Sequence, residues 1–382
     1  MYSVYDFGCF IADKIRTDAY VQALRQAVKP NSVVVDIGTG TGIWALLACK
    51  FGARKVYAIE PNDAIQVARE IAEANGYGER IEFIRKLSTQ VTLPEQADLI
   101  VSDLRGVLPL FQHHLPSIVD GRQRFLKEDG MLIPQRDTLW AAVVEDVDLY
   151  RSYTAPWDEN DYGLDMQTVL SIATNTWRPG RVKPEHLLME PKCWATLDYA
   201  TVEKSDASGQ VSWSAMREGI AHGLSLWFDS ELSGGVSFSN APSAPELLYN
   251  NAFFPFSKPI MMTTGDTVSV EIYANLVGED YIWRWNTFVL SQGQREHVKA
   301  DFKQSTFYGM LFSQATLRKM AHNHNPNLNE KGQIDQFALS HMDGHTPLGE
   351  IAHRVMEKFP SHFNKWYDAL THVGNLSLKY DR

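Results

Sequence analysis

Four residues with chemical potential, Asp36, Gly38, Gly40 and Gly42, stand together in Val33-Val34-Val35-Asp36-Ile37-Gly38-Thr39-Gly40-Thr41-Gly42. A further acid, Glu60, ends the apolar run Lys55-Val56-Tyr57-Ala58-Ile59-Glu60. A glycine turn lets backbone N–H groups approach a ligand, and an acid at the end of the next strand accepts hydrogen bonds from ribose hydroxyls. The spacing closes as GxGxG, whereas pyrophosphate sites read GxGxxG. An acid two residues before the first glycine repels a diphosphate and suits a ligand carrying ammonium and sulfonium charge. The pattern therefore favours S-adenosylmethionine over a phosphate nucleotide or a plain glycine-rich turn. Asp36 and Gly38 are expected beside its amino-acid part, Glu60 on its ribose, and Thr39, Gly40 and Gly42 among the residues that bind it.

A second constellation begins at Asp103, the acid that ends Ala97-Asp98-Leu99-Ile100-Val101-Ser102, and continues at Gln112-His113-His114. A histidine, with an ordinary pKa near 6.5, is suited to act as general base for a neutral oxygen or nitrogen nucleophile. The competing reading makes His113 and His114 solvent-facing helix residues. Asp13, Arg16 and Tyr20 share one side of a helical pattern and supply either a ligand contact or a local ion pair.

These residues need elements to hold them. Apolar positions from Phe10 to Val28 recur at spacings of three to four and predict one amphipathic helix over 10–28. Strands follow at 33–37, 55–60, 80–84 and 97–103, with helices at 43–50 and 64–75 between them. Strand–helix alternation of this kind specifies an α/β, doubly wound, Rossmann-like sheet whose carboxyl rim carries both constellations. Residues 135–292 instead alternate apolar and polar, as an antiparallel barrel or sandwich does, with Gly219 to Leu232 reading as a pair of strands. An apolar insertion lies at 151–190. Beyond 293 a small, mainly helical domain is expected, with helices over 349–359 and 363–373 and Thr346-Pro347 as cap and first turn.

Taken together, the motifs resemble those of the protein arginine methyltransferases, class I methyltransferases, over roughly the first 290 residues. The resemblance implies a methyltransferase domain at 1–134 and a β-barrel substrate domain at 135–292, reached through Phe125-Leu126-Lys127-Glu128-Asp129-Gly130-Met131-Leu132-Ile133-Pro134. It also implies that Asp13-x-x-Arg16-x-x-x-Tyr20 covers the cofactor with Arg16 on its carboxylate, and that the insertion is an arm making a homodimer. The family's adenine-contacting acid falls on Thr89. Its two catalytic glutamates fall on Asp103 and Gln112, and its threonine-histidine-tryptophan loop on Leu247, Leu248 and Tyr249. Residues 293–382 lie beyond that likeness; Asp343-Gly344 followed by Glu350-Ile351-Ala352 resembles the PqqD-type winged helix.

A guanidinium stays protonated, so carboxylates are used to hold and polarise it. An amide at Gln112 removes one. The leading expectation is methyl transfer to nitrogen or oxygen of a small molecule, amino acid or specific peptide. Arginine methylation with an altered loop, and a noncatalytic S-adenosylmethionine-binding interaction protein, are the alternatives.

Composition bounds the rest. The 382 residues exceed one core, and a formal charge of -10 disfavours a general nucleic-acid binder. Cys9, Cys49 and Cys193 have no metal-site spacing, so no metal is expected. No run of about 18 apolar residues offers a membrane span, and the chain reads as cytoplasmic.

Overall fold

The computed structural model describes residues 2–159, 162–292 and 297–381. Asp161 of the inserted segment and Gly293, the expected start of the last domain, lie outside the described residues. The chain divides into two compact units, 1–310 and 311–382.

The first unit opens with α1 (Val4–Ala12) and α2 (Lys14–Ala27). The single helix expected over 10–28 is thus two. Asp13 is the reason: its carboxylate accepts the Arg16 N–H as the cap of α2, at 3.3 Å, and α1 ends there. Then come β1 (Val33–Ile37), α3 (Ile43–Lys50), β2 (Lys55–Ile59), α4 (Ala64–Ala74), β3 (Ile81–Ile84), β4 (Ala97–Ser102), α5 (His114–Phe125) and β5 (Leu126–Ile133). The five strands are parallel in the order β3-β2-β1-β4-β5. All five residues of β1 are buried, as a central strand covered on both faces requires. The order reverses direction at β1, which pairs β2 on one side and β4 on the other, so Ile37, Ile59 and Ser102 end at one crevice.

The rest of this unit is β6 (Arg136–Val144), α6 (Val147–Asp158), α7 (Leu170–Ala173), β7 (Arg178–Gly180), β8 (Lys192–Asp198), β9 (Ala207–Ser214), β10 (Gly219–Ser233), β11 (Val236–Ser239), β12 (Asn251–Met262), β13 (Thr267–Val277), β14 (Asp280–Leu290) and β15 (Val298–Ser305). They build two antiparallel sheets, β7-β12-β10-β6-β8 with β11 on β10, and β15-β14-β13-β9. Among the described residues no ladder joins these sheets into the expected closed barrel. The pair of strands expected over 219–232 is one 15-residue strand, which absorbs a bulge between Ala221 and Gly223 instead of turning. Alternation on β13 buries Val268, Val270, Ile272 and Ala274, and the inner faces pack Trp283, Trp285 and Phe254. The expected boundary at 293 moves to 311, because alternation resumes in β15, which pairs with β14.

The second unit consists of α8 (Gln314–Met320), α9 (Glu330–Leu339), α10 (Leu348–Lys358) and α11 (Trp366–Tyr380). Its own core joins Ile334, Ala338, Ile351, Val355, Ala369 and Val373. The start of α10 is held by Asp343, whose carboxylate accepts the His345 and Thr346 N–H groups at 2.8 Å, with Pro347 rather than Thr346 in the capping position. Among its described residues there is no strand, hence no wing, and the winged-helix likeness is not carried by the structure.

Candidate active site

At the carboxyl rim of the parallel sheet lies a cavity of about 390 Å³. Gly38, Thr39, Gly40 and Glu60 form its cofactor side. Gly38 and Gly40 adopt φ of +76° and +53°, where a side chain is strained, and a Cβ on Gly40 would stand 2.5 Å from the Phe7 ring. The turn is therefore held open beneath α1 by the lack of side chains. Glu60, almost wholly buried, accepts the Gly40 N–H at 3.1 Å and the Asn62 N–H at 3.0 Å. The Asn62 side-chain amide donates to the same oxygen as its N–H, at 2.7 Å, so the oxygen facing Gly40 is the one that retains a lone pair for a ribose hydroxyl. These features fit S-adenosylmethionine.

Three residues expected at the cofactor do not line this cavity. Asp36 lies beneath the turn, accepting the Thr39 hydroxyl at 2.6 Å and the Ala45 N–H at 3.0 Å. Burial pushes its carboxyl up to about 7, with Thr39 and Ala45 opposing the rise. It shapes the turn, and its charge is a weak reason for sulfonium preference. Gly42 caps α3 at φ +89° against Ala68. Thr89 is exposed, and Lys86, Leu87 and Ser88 take the wall that it was expected to form.

The raised carboxyl gives a pH prediction. The unfolded chain releases the Asp36 proton near the ordinary aspartate pKa of about 3.9, while the folded chain keeps it until about 7. Its contribution to stability is fully present below the unfolded value and is lost as pH rises through about 7. Asp36→Asn, which keeps an oxygen for Thr39 and Ala45, should become progressively more stable relative to the parent between pH 4 and 7. Urea midpoints across that range check it; a parallel pH dependence would count against the shift.

Asp103 also lines the cavity and lies at the centre of a buried ionic network. Its carboxylate accepts Arg16 Nε at 2.6 Å, Arg105 Nε at 2.9 Å and the Tyr249 hydroxyl at 2.9 Å. Burial alone would raise this carboxyl; Arg16, then Arg105 and the Tyr249 hydrogen bond outweigh it and bring it down to about 2. Arg105, fully buried, extends to Asp137 at 3.1 Å and the Ser230 hydroxyl at 2.6 Å, and donates to the Tyr20 hydroxyl. Two guanidinium groups and two carboxyl groups are thus matched within the protein. Asp103, expected to hold an incoming acceptor, is instead saturated by its own chain, because Arg105 stands two residues along the same loop.

The two neighbouring histidines part company. His114 is buried at the start of α5, and burial, reinforced by Arg105, pushes its imidazole down to about 3. Tyr199 donates its hydroxyl to Asp137 at 2.6 Å, so His114 Nε2, 2.9 Å from that oxygen, must be the donor. Nδ1 is sealed from solvent and makes no hydrogen bond among the described residues. His114 is a fixed neutral donor and not the base that the sequence suggested. His113 remains half-exposed at the cavity, with Nε2 2.9 Å from Glu279, and Gln112 lines the wall beside it at φ +42°.

Arg105, Asp137, Tyr199 and Glu279 were missed by motif reading. A charged residue at the inward position of a strand, as Asp137 is in β6, was the available signal. Leu248, at the resembled family's histidine position, gives its backbone N–H to Asp13 at 2.9 Å.

Comparison with known proteins agrees with this geometry. The family model for the arginine methyltransferase oligomerization subdomain matches residues 135–286, and that for ribosomal protein L11 methyltransferase (PrmA) matches residues 15–136. A probable protein arginine N-methyltransferase 6 of Arabidopsis thaliana is 30% identical over 236 residues, 59% of this chain and 54% of that protein. Protein arginine N-methyltransferase 1 of Dictyostelium discoideum is 27% identical over 267 residues, 68% of this chain and 78% of that protein. The chain is thus similar to the arginine-methyltransferase-like class I methyltransferases. This class uses S-adenosylmethionine, in agreement with the glycine turn and Glu60. Among solved structures, Arabidopsis thaliana protein arginine methyltransferase 10 superposes with a TM-score of 0.70 at 23% identity, covering 79% of this chain and 97% of that one. The Trypanosoma brucei PRMT1 enzyme-prozyme complex with AdoHcy superposes at 0.71 and 20% identity, covering 80% and 98%. At those identities the likeness is one of fold.

Proposed function

We propose that this chain is an S-adenosylmethionine-dependent methyltransferase whose acceptor is an uncharged nitrogen or oxygen, on a specific peptide or a small molecule. The observation that carries this reading is the internal pairing of Asp103 with Arg16 and Arg105. A cationic acceptor needs an unspent carboxylate, and burying a charge without one costs several kcal/mol. Gln112 adds an amide where the second acid of the resembled loop would be. What the chain does supply is a cofactor turn and a cavity with His113 in its wall.

Assembly as a homodimer through the inserted segment of 151–190 belongs to the same reading; the matched oligomerization subdomain spans that segment. A cytoplasmic site of action is proposed with it.

Product mass spectrometry on a panel of guanidines, phenols, imidazoles, amides and peptides tests the proposal. Transfer to uncharged acceptors, with Arg-Gly peptides slower by at least about 100-fold, is expected, since one buried unpaired charge is enough to produce such a ratio. Methylation of Arg-Gly peptides at the faster rate would restore arginine as the acceptor. A second reading, a noncatalytic cofactor-binding partner, draws on the same saturated Asp103, and the Trypanosoma structure pairs an enzyme with a prozyme. It predicts cofactor binding without release of S-adenosylhomocysteine.

A further inference from the structure

The Glu279–His113 pair is left unexplained by the cofactor turn and by the buried network. Glu279 comes from the tight turn between β13 and β14, where Val277 pairs with Asp280 and Gly278 takes φ +65°. A two-residue hairpin of this kind fixes its tip closely. That tip reaches the cavity from the antiparallel sheets, while His113 reaches it from the loop before α5. Two independent parts of the first unit therefore place a carboxylate and an imidazole 2.9 Å apart in the wall of the cavity.

We propose that Glu279 and His113 form a carboxylate–imidazole dyad that removes the proton of a neutral N–H or O–H acceptor. The inference rests on the methyltransferase reading above and extends it to the base. A carboxylate only accepts hydrogen bonds, so Glu279 Oε2 requires the hydrogen on His113 Nε2 and leaves the lone pair on Nδ1. His113 sits at the capping position of α5 yet makes no side-chain capping bond, and no hydrogen bond to Nδ1 exists among the described residues. Nδ1 is thus the nitrogen available to an acceptor.

In the reaction, the acceptor's lone pair bonds to the methyl carbon as the carbon–sulfur bond breaks and its electron pair returns to sulfur. The acceptor's proton passes to Nδ1. The products are the methylated acceptor, the neutral thioether and an imidazolium whose charge Glu279 faces. His113 is the catalytic residue and Glu279 the positioning residue. Their exposure, 47% and 92% of the side chain, means that the pair adds little to stability, so variants should fold.

The test uses the full chain with S-adenosylhomocysteine bound. Nitrogen-15 NMR of the His113 ring should report the Nε2–H tautomer, and Glu279→Ala should convert it to a mixture. With the best acceptor from the panel, His113→Ala should lower kcat roughly 100-fold and Glu279→Ala about 10-fold, KM staying within about twofold. Glu279→Gln, which keeps an acceptor oxygen, should recover part of the rate. The double variant should be no slower than His113→Ala, as groups that act as one unit behave. Additive losses, an unchanged tautomer, or an effect of Glu279→Ala confined to KM for guanidine acceptors would overturn the dyad while leaving methyl transfer intact. If no panel member yields S-adenosylhomocysteine, the methyltransferase reading fails first and the base with it.

Discussion

Arg105→Met should destabilise the first unit by about 3–5 kcal/mol, the range for removing one partner from a buried ion pair. Methionine approximates the stem of arginine, so packing changes little. The carboxyl of Asp137, with no exposure, loses its guanidinium and retains the Tyr199 hydroxyl; Asp103 keeps Arg16 and Tyr249 but loses its second cation. The measurement is the urea midpoint at constant slope. Arg105→Lys should fall between, because an ammonium lacks the planar fork that spans Asp103, Asp137 and Ser230. Adding Asp137→Asn to Arg105→Met should restore part of the loss by removing the stranded charge. A loss below about 1 kcal/mol, the scale of exposed pairs, would show that the network is not the buried and dry one described.

The second large effect concerns the cofactor. Glu60→Ala should weaken binding of S-adenosylhomocysteine by about 10- to 100-fold in calorimetry, which corresponds to one charge-assisted hydrogen bond of roughly 1.5–3 kcal/mol. Removing the carboxylate also frees the Gly40 and Asn62 N–H groups that now hold the turn to the end of β2. Glu60→Gln keeps one acceptor oxygen and should show a smaller loss. Unchanged affinity in Glu60→Ala would remove the ribose from this position and the cofactor assignment with it.

The parallel sheet was legible because a strand covered on both faces must be apolar along its whole length, and β1 and β4 read so directly. The glycine turn was legible for a similar reason, since few other sequences tolerate φ above zero twice in three residues. The acceptor side was not. Arg105 meets Asp137 and Ser230 across 32 and 125 residues of chain, and although alternation puts Asp137 on the inner side of β6, nothing local names the arginine that it meets. His113 and His114 were indistinguishable as letters; one turn of backbone at the start of α5 puts the second in the core and leaves the first at the cavity. Asp36 showed the converse error, a correctly noticed acid whose work is below the turn and not at its surface.

Arg105 touches the loop after β4 through Asp103, β6 through Asp137, β10 through Ser230 and α2 through Tyr20. This has a consequence for how such a chain can change over generations. Losing the arginine alone leaves Asp137 without a cation, and losing Asp137 alone leaves Arg105 with Asp103 as its one acid, so each single step costs more than its share of the paired change. Substitutions at 105 and 137 should therefore be epistatic, arriving together or not at all across descendants of this chain. A site closed by its own arginine is in this sense a ratchet. Even the paired replacement leaves Asp103 with Arg16 and Tyr249, so an acid free for an outside cation requires further change at this loop.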